Sequence, residues 1–159
     1  LIKSVTFFEI QAPLYSLSKK SIQINGLEDK FFAENVKIQD IGNEYAGKFS
    51  LITCNPPYCK QGSGETQEKE CISMCRREIF LPLEDLMKSV SKCLKFGGRV
   101  CMCHRADRLV DLISEMRKNN IEPKRLQTVS AKNKEPYLVL VEGVKGGKSG
   151  LKILKNTEN

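Results

Sequence analysis

The sequence has 159 residues, 40% of them hydrophobic, which fits one ordinary domain (residues 1–159) with a single core. Its 26 Lys and Arg against 19 Asp and Glu leave a net charge of +7, which suits a polyanionic partner and equally a plain basic surface. No apolar run approaches the ~20 residues of a membrane span and no secretory leader is seen, so we expect a cytoplasmic protein.

Apolar runs and helical periodicity predict the elements of the first half of the chain. A strand is predicted over residues 5–10 and a helix over residues 13–24, with Pro13 in its first turn and Asn25-Gly26 after it. A short or broken strand follows over residues 31–33 and 36–38. A better strand covers residues 49–54 and ends where Asn55-Pro56-Pro57 prevents continuation.

The second half begins with a polar loop over residues 59–75 and a clear amphipathic helix over residues 83–94, with Pro82 before it and Gly97-Gly98 after it. A strand over 100–103, a helix over 107–118 and strands over 126–129 and 137–141 follow. The tail, residues 152–159, is expected to be frayed.

Strands that alternate with helices predict an α/β fold with a mainly parallel sheet. The connection between the last two strands is too short for a helical crossover, so we expect them to pair antiparallel. Ligands of such sheets bind outside the carboxyl ends of the strands. Several polar side chains lie at or near such ends: Glu9, Asn35, Asp40, Asn55 and His104.

The Asn55-Pro56-Pro57-Tyr58 segment directly after a strand is the most informative motif. Two prolines stiffen the backbone, so the Asn55 side chain and the Pro56 carbonyl hold their positions at little further entropic cost. Two acceptors that bind both N–H groups of an adenine amine favour a pyramidal nitrogen and stabilise its developing positive charge. Tyr58 offers a face on which a flipped base stacks. The alternative is that this segment is only a rigid turn that ends a strand.

The chain resembles the bacterial valine-tRNA adenine-N6 methyltransferases in their Gram-positive form. The resemblance runs in order over nearly the whole chain. Its matching stretches include Phe8-Glu9-Ile10-Gln11, Asn25-Gly26-Leu27-Glu28-Asp29, Ile52-Thr53-Cys54-Asn55-Pro56-Pro57-Tyr58, Asp107-Arg108-Leu109, Glu122-Pro123-Lys124-Arg125 and Glu142-Gly143-Val144-Lys145-Gly146-Gly147-Lys148.

The resemblance implies a Rossmann-like fold, S-adenosylmethionine as the cofactor without a metal, and methylation of an adenine beside the anticodon of a tRNA. It makes Glu9 the residue that binds the cofactor's ribose hydroxyls. It places Asn35 or Asp40 near the cofactor's adenine, with a slight preference for Asn35. Asn55 counts among both the catalytic and the cofactor-contacting residues.

The chain also departs from the family pattern. The first strand and the glycine-rich cofactor loop are not found in the sequence, so we expect either part of a longer protein or a truncated product that binds cofactor poorly. Cys59 stands where the family usually has Phe. The open alternatives are a methyltransferase acting on DNA adenine or on a protein glutamine, and a catalytically inactive RNA-binding module.

Weaker signals have ordinary explanations as well. Seven cysteines are an odd number and several lie in apolar runs, so we expect reduced thiols rather than disulfides or a zinc site. His104 is expected to face the cleft as a base or an RNA contact, or to be structural. Lys145-Gly146-Gly147-Lys148 is similar to a phosphate-binding segment and equally to a simple turn. The basic C-terminal half is the expected RNA footprint.

Overall fold

The computed structural model describes residues 2–56 and 81–159. Three α-helices and eight strands occur within these ranges. In chain order they are β1 (Val5–Phe8), α1 (Ala12–Ile24), β2 (Phe31–Glu34), β3 (Phe49–Cys54), α2 (Leu83–Cys93), β4 (Leu94–Arg105), α3 (Leu109–Lys118), β5 (Ile121–Ser130), β6 (Pro136–Lys145), β7 (Lys152–Ile153) and β8 (Thr157–Glu158).

The strands form two sheets. β1 and β2 pair parallel, and α1 packs against β2. The second sheet has the order β3-β4-β6-β5-β7, with β8 also paired to β5. β3 is parallel to β4, whereas β6 is antiparallel to both β4 and β5. The predicted α/β class and the predicted antiparallel pairing of the last two long strands are therefore confirmed.

The core lies between one face of the larger sheet and helices α2 and α3. Apolar residues at the helical period face this core, and Leu86, Met87, Val90 and Cys93 of α2 and Leu112 and Met116 of α3 are buried, as the sequence predicts. Against them pack alternate residues of the strands, which are 0–2% exposed: Val100, Met102, Val139 and Val141. No helix within the described ranges is long and apolar enough to cross a membrane.

Strand β4 begins earlier than its apolar run suggests. α2 ends at Cys93 and the chain passes directly into β4, so Gly97-Gly98 does not end the helix as predicted. The two glycines lie where the register between β3 and β4 shifts. Gly97 has φ +74°, and a Cβ on Gly98 would lie 2.8 Å from the Lys95 carbonyl oxygen and 3.1 Å from that of Phe49. The two glycines thus permit a bulge where β3 and β4 approach closely.

The C-terminal tail is not frayed, so that prediction is wrong. β7 and β8 pair parallel with β5, and Leu154 N donates to Leu126 O at 2.7 Å. Side chains add to this pairing: Gln127 Nε2 donates to Thr157 Oγ1 at 2.8 Å, and Asn156 Nδ2 donates to Ser130 Oγ at 2.9 Å. Backbone and side-chain hydrogen bonds hold the tail although it lacks a long apolar run.

A cluster of three aromatic rings joins β1 to the start of β3. The ring of Phe8 meets Tyr45 edge-to-face at 5.0 Å and Phe49 at 6.1 Å, while Tyr45 stacks on Phe49 at 5.9 Å.

The predicted strand over residues 36–38 does not form. The chain leaves β2 after Glu34 and enters a short 3₁₀ helix at Ile38–Asp40.

Candidate functional site

Asn55 is the first residue after β3, at the carboxyl end of a strand that runs parallel to β4. Asn55 is exposed and lines a groove of about 470 Å³, whereas the next residue, Pro56, is buried. Thr53 and Cys103 line the same groove. Pro57 and Tyr58, the other two members of the predicted catalytic motif, lie outside the described residues, as do the predicted 59–75 loop and Cys59.

Cys54 lies next to Asn55 and borders the groove. Burial raises the pKa of its thiol to about 11. The thiol therefore stays protonated at neutral pH and is a poor nucleophile, because the thiolate is the reactive form. Covalent catalysis by this cysteine is accordingly disfavoured.

Glu9 and Asn35 follow the two neighbouring parallel strands β1 and β2, and the structure brings them together. The Asn35 amide nitrogen Nδ2 donates to the carbonyl oxygens of Glu9 at 2.8 Å and Ile10 at 3.0 Å. The Glu9 carboxylate accepts a 2.8 Å hydrogen bond from the backbone N–H of Gln11, just before α1. The half-buried carboxylate is thus held at the sheet edge by local backbone geometry.

The two candidates for the cofactor's adenine side lie in different settings. Asn35 is bonded to the Glu9 turn, while Asp40 is an exposed residue at the end of the Ile38–Asp40 3₁₀ helix. Sequence reasoning missed one further contact, in which Tyr45 Oη donates to Glu34 Oε1 at 3.0 Å. Burial, and then this hydrogen bond, raise the pKa of Tyr45. No pattern in the sequence marks that pair, since Glu34 ends β2 and Tyr45 lies 11 residues later in a separate 3₁₀ helix.

His104 lies on the buried face of β4 and is 4% exposed, so the expectation that it faces an open cleft is wrong. The reason is strand alternation, which puts it on the same side as Val100 and Met102. Its Nδ1 accepts a 2.9 Å hydrogen bond from the Arg105 backbone N–H. Burial, and then the charge of Arg108, lower the pKa of His104. The structural role for this histidine, which the sequence left open, is favoured.

This lowered pKa predicts a pH dependence of stability. The unfolded chain binds a proton at His104 below about pH 6.5, while the folded chain resists it. The free energy of unfolding therefore includes a contribution that is complete above about pH 6.5 and is lost as the pH falls through the lower folded-state pKa. Urea unfolding at several pH values checks this, with His104→Gln as the control. If the two proteins lose stability equally between about pH 7 and 5, the assignment is wrong.

The Lys145 side chain forms hydrogen bonds inside the fold, which disfavours the phosphate-binding interpretation of residues 145–148. Its Nζ donates to the carbonyl oxygens of Ser91 at 2.5 Å and Leu94 at 3.0 Å, at the C-terminal end of α2. A cation at that position complements the helix dipole and satisfies terminal carbonyl groups. The segment that follows is a turn in which Gly146 has φ +68°.

Two curated relatives match part of the sequence, and no protein-family model matches it. Both are named "tRNA1(Val) (adenine(37)-N6)-methyltransferase" and come from two strains of Porphyromonas gingivalis. Each is 34% identical to this chain over 103 residues, which cover 64% of the chain and 38% of the relative. The chain therefore matches less than two fifths of the length of these relatives.

Solved structures match over more of the chain. A protein described as a predicted O-methyltransferase from Agrobacterium tumefaciens superimposes with a TM-score of 0.71 and 13% identity, over 98% of this chain and 68% of that one. The chain has a Rossmann-like methyltransferase fold. Geranyl diphosphate C-methyltransferase from Streptomyces coelicolor, solved with S-adenosyl-L-homocysteine, gives a TM-score of 0.64 and 11% identity, over 89% and 64% of the two chains.

A third structure agrees with this fold. It is a putative S-adenosylmethionine dependent methyltransferase from Listeria monocytogenes, with a TM-score of 0.60 and 11% identity, over 90% of this chain and 80% of that one. Within the shared fold, Glu9 and Asn35 lie after one pair of parallel strands and Asn55 after the other. These are the strand ends at which ligands of such sheets bind.

Proposed function

We propose that the protein transfers a methyl group from S-adenosylmethionine to the exocyclic N6 amine of an adenine in tRNA. The observation that carries this proposal is the position of Asn55, exposed on a groove at the carboxyl end of β3 and followed by a buried proline. The names of the Porphyromonas gingivalis relatives support tRNA adenine as the substrate. The net charge of +7 suits a polyanionic substrate.

Asn55 and Pro56 act on the amine in this proposal. The Asn55 Oδ1 and the Pro56 carbonyl accept the two N–H groups, which localises the nitrogen lone pair that the adenine ring otherwise delocalises. Positive charge then develops on the nitrogen between two fixed dipoles, where it is stabilised more than in the ground state. Tyr58 stacks on the base and Pro57 completes the stiff bend, as the family resemblance implies.

The hydrogen bonds around Glu9 support its assignment to the cofactor's ribose. A carboxylate binds two neighbouring hydroxyl groups well when its orientation is fixed, and the Gln11 N–H fixes that of Glu9. Asn35 holds the turn through the Glu9 and Ile10 carbonyls and keeps its own Oδ1 as an acceptor beside the turn. When bound, S-adenosylmethionine supplies an electrophilic methyl group. We assign Glu9 and Asn35, with Asp40 as the alternative to Asn35, to binding it.

The experiment offers the protein a radiolabelled methyl donor with unmodified tRNA, duplex DNA or a peptide-release factor. We expect label only in tRNA, recovered as N6-methyladenosine after nuclease digestion. Label in DNA or in protein glutamine would contradict the proposal and would identify that molecule as the substrate instead of tRNA. Calorimetry with S-adenosylmethionine distinguishes a methyltransferase from an inactive RNA-binding module. A protein that binds RNA but gives no heat with the cofactor would be the latter.

Glu9→Gln is expected to weaken S-adenosylmethionine binding by about 10-fold or more, because hydrogen bonds to a charged group contribute about 1.5–3 kcal/mol. The neutral amide keeps the size of the side chain but accepts hydrogen bonds less strongly. Isothermal titration calorimetry measures the dissociation constant. Glu28→Gln makes the same change at an exposed position in the loop before β2 and serves as the control. Equal affinity of the Glu9 and Glu28 variants would exclude Glu9 from the cofactor site.

A further inference from the structure

The turn that joins β5 to β6, residues 131–135, lies at the same edge of the larger sheet as Asn55. β4 runs parallel to β3, and β6 runs antiparallel to β4. The carboxyl ends of β3 and β4 therefore meet the amino end of β6, which begins at Pro136. The proposed catalytic residue and this turn thus lie at the same end of the sheet.

Strand register places Tyr137 near Asn55. Along β4, Met102 is the partner of the last residue of β3, and Arg105 is the partner of Leu138 in β6. Tyr137 precedes Leu138, so it lies two strands across from Asn55 and about three residues further along the strand direction. With strands ~4.8 Å apart and ~3.3 Å per residue, the two Cα atoms are on the order of 14 Å apart.

Three exposed residues at this end of the sheet form what we call the hairpin surface: Lys132, Lys134 and Tyr137. Tyr137 is 47% exposed, and its ring stacks on no other ring of residues 2–56 and 81–159. Among the ion pairs of the same ranges, none includes Lys132 or Lys134. Glu135 is the one acidic residue of the turn. The hairpin surface therefore presents an aromatic face and two accessible cations.

Hydrogen bonds hold the hairpin surface in one shape. The Lys134 N–H donates to Ala131 O at 3.0 Å and closes the turn, and Asn133 has φ +55°, a left-handed conformation that Asn adopts more readily than most residues. At the base of the turn, the Ser130 carbonyl accepts a 2.9 Å hydrogen bond from the Asn159 N–H of the docked tail. A surface that is ordered before it meets its partner loses less entropy on binding.

An aromatic face beside two cations suits single-stranded RNA. Unpaired bases stack on aromatic side chains while cations contact the phosphates, whereas duplex RNA is contacted mostly at its backbone and grooves. We infer that the hairpin surface binds unpaired tRNA nucleotides that flank the target adenine, with Tyr137 stacked on a base and Lys132 and Lys134 on phosphate groups. This inference rests on the proposed function, because Asn55 acts on an adenine of the same RNA.

Tyr137→Ala is expected to weaken tRNA binding about tenfold or more, the effect of losing one stacked base, whereas Tyr137→Phe keeps the ring and should bind like the parent. Fluorescence anisotropy with labelled tRNA measures the dissociation constant. In methylation assays the KM for tRNA should rise by the same factor while kcat is unchanged, because Tyr137 does not touch the reacting amine. Phe96→Ala is the matched control, since Phe96 is 81% exposed at the start of β4, the opposite edge of the sheet.

The lysines are tested by the salt dependence of tRNA binding. Combining Lys132→Ala with Lys134→Ala is expected to reduce the slope of log Kd against log salt concentration by about 1.4, since each phosphate contact to a single strand contributes about 0.7. Combining Lys48→Ala with Lys95→Ala removes two exposed cations at the opposite edge of the sheet and should leave the slope unchanged.

The outcomes separate this inference from the proposed function. If the parent methylates tRNA but Tyr137→Ala and the Lys132, Lys134 double variant bind tRNA as the parent does, the inference is overturned and the proposed function stands. A changed salt slope without any effect of Tyr137→Ala would mean a general basic surface and would also overturn it. A parent protein that neither binds nor methylates tRNA would contradict the proposed function, and the inference would fall with it.

Discussion

Asn55→Ala is expected to reduce methyl transfer to tRNA by about 100- to 1,000-fold while cofactor affinity changes little. A factor of this size is typical when one preorganised hydrogen-bonding group is removed from a charge-stabilising site. Alanine deletes the side-chain oxygen that receives the amine N–H, and the proline bend beside it is retained. Single-turnover rates measured with saturating tRNA and labelled methyl donor give the effect on the chemical step.

Two variants separate this role from general damage. Asn55→Asp keeps oxygen acceptors at the same position, so it should retain more activity than Asn55→Ala. Asn43→Ala removes the same side chain at an exposed position before β3 and should leave the rate unchanged. Turnover of Asn55→Ala within a few-fold of the parent would remove Asn55 from the proposed mechanism.

Leu112→Ala is expected to lower the free energy of unfolding by about 2–5 kcal/mol. Leu112 is 0% exposed in α3 and belongs to the core formed by α2, α3 and the covered face of the sheet. The substitution removes apolar contacts and leaves a cavity that the surrounding strands cannot fill. Since the free energy of unfolding of such domains is about 5–15 kcal/mol, a loss of this size should clearly lower the midpoint of a urea titration.

Val110→Ala is the matched control on the same helix, because Val110 is 80% exposed. Its effect should stay within about 0.5 kcal/mol, the usual range for surface substitutions. Similar losses for both variants would mean that α3 is not packed as described.

The helices and the central strands follow from local patterns. Leu86, Met87 and Val90 recur at the helical period, and the run over residues 49–54 stops at a proline pair, so their positions are predictable without tertiary information. The antiparallel β5–β6 pair follows from the shortness of the connection. The motif at Asn55 can be recognised for the same reason, because the polar side chain and the prolines that stiffen the backbone are adjacent in the sequence.

Features that depend on residues far apart in the chain cannot be predicted from local sequence patterns. The tail forms strands because Gln127, Thr128 and Ser130 of β5 supply hydrogen bonds, and nothing within the tail itself indicates them. His104 is buried because of the phase of β4, which a one-residue change in the strand start would reverse. The Asn35 contacts with the Glu9 turn join residues about 25 positions apart, so only the pairing of β1 with β2 produces them.

The docked C-terminal tail bears on how the protein behaves in solution. β5 is ten residues long, and β7 and β8 take up hydrogen bonds along its outer side at Leu126 and Ser130. An unprotected strand margin is a template for pairing between molecules. Residues 150–159 thus protect the outer edge of β5 from pairing with another molecule. Proteolytic removal of this segment would expose that edge and would also remove Leu154, which lines the groove at Asn55.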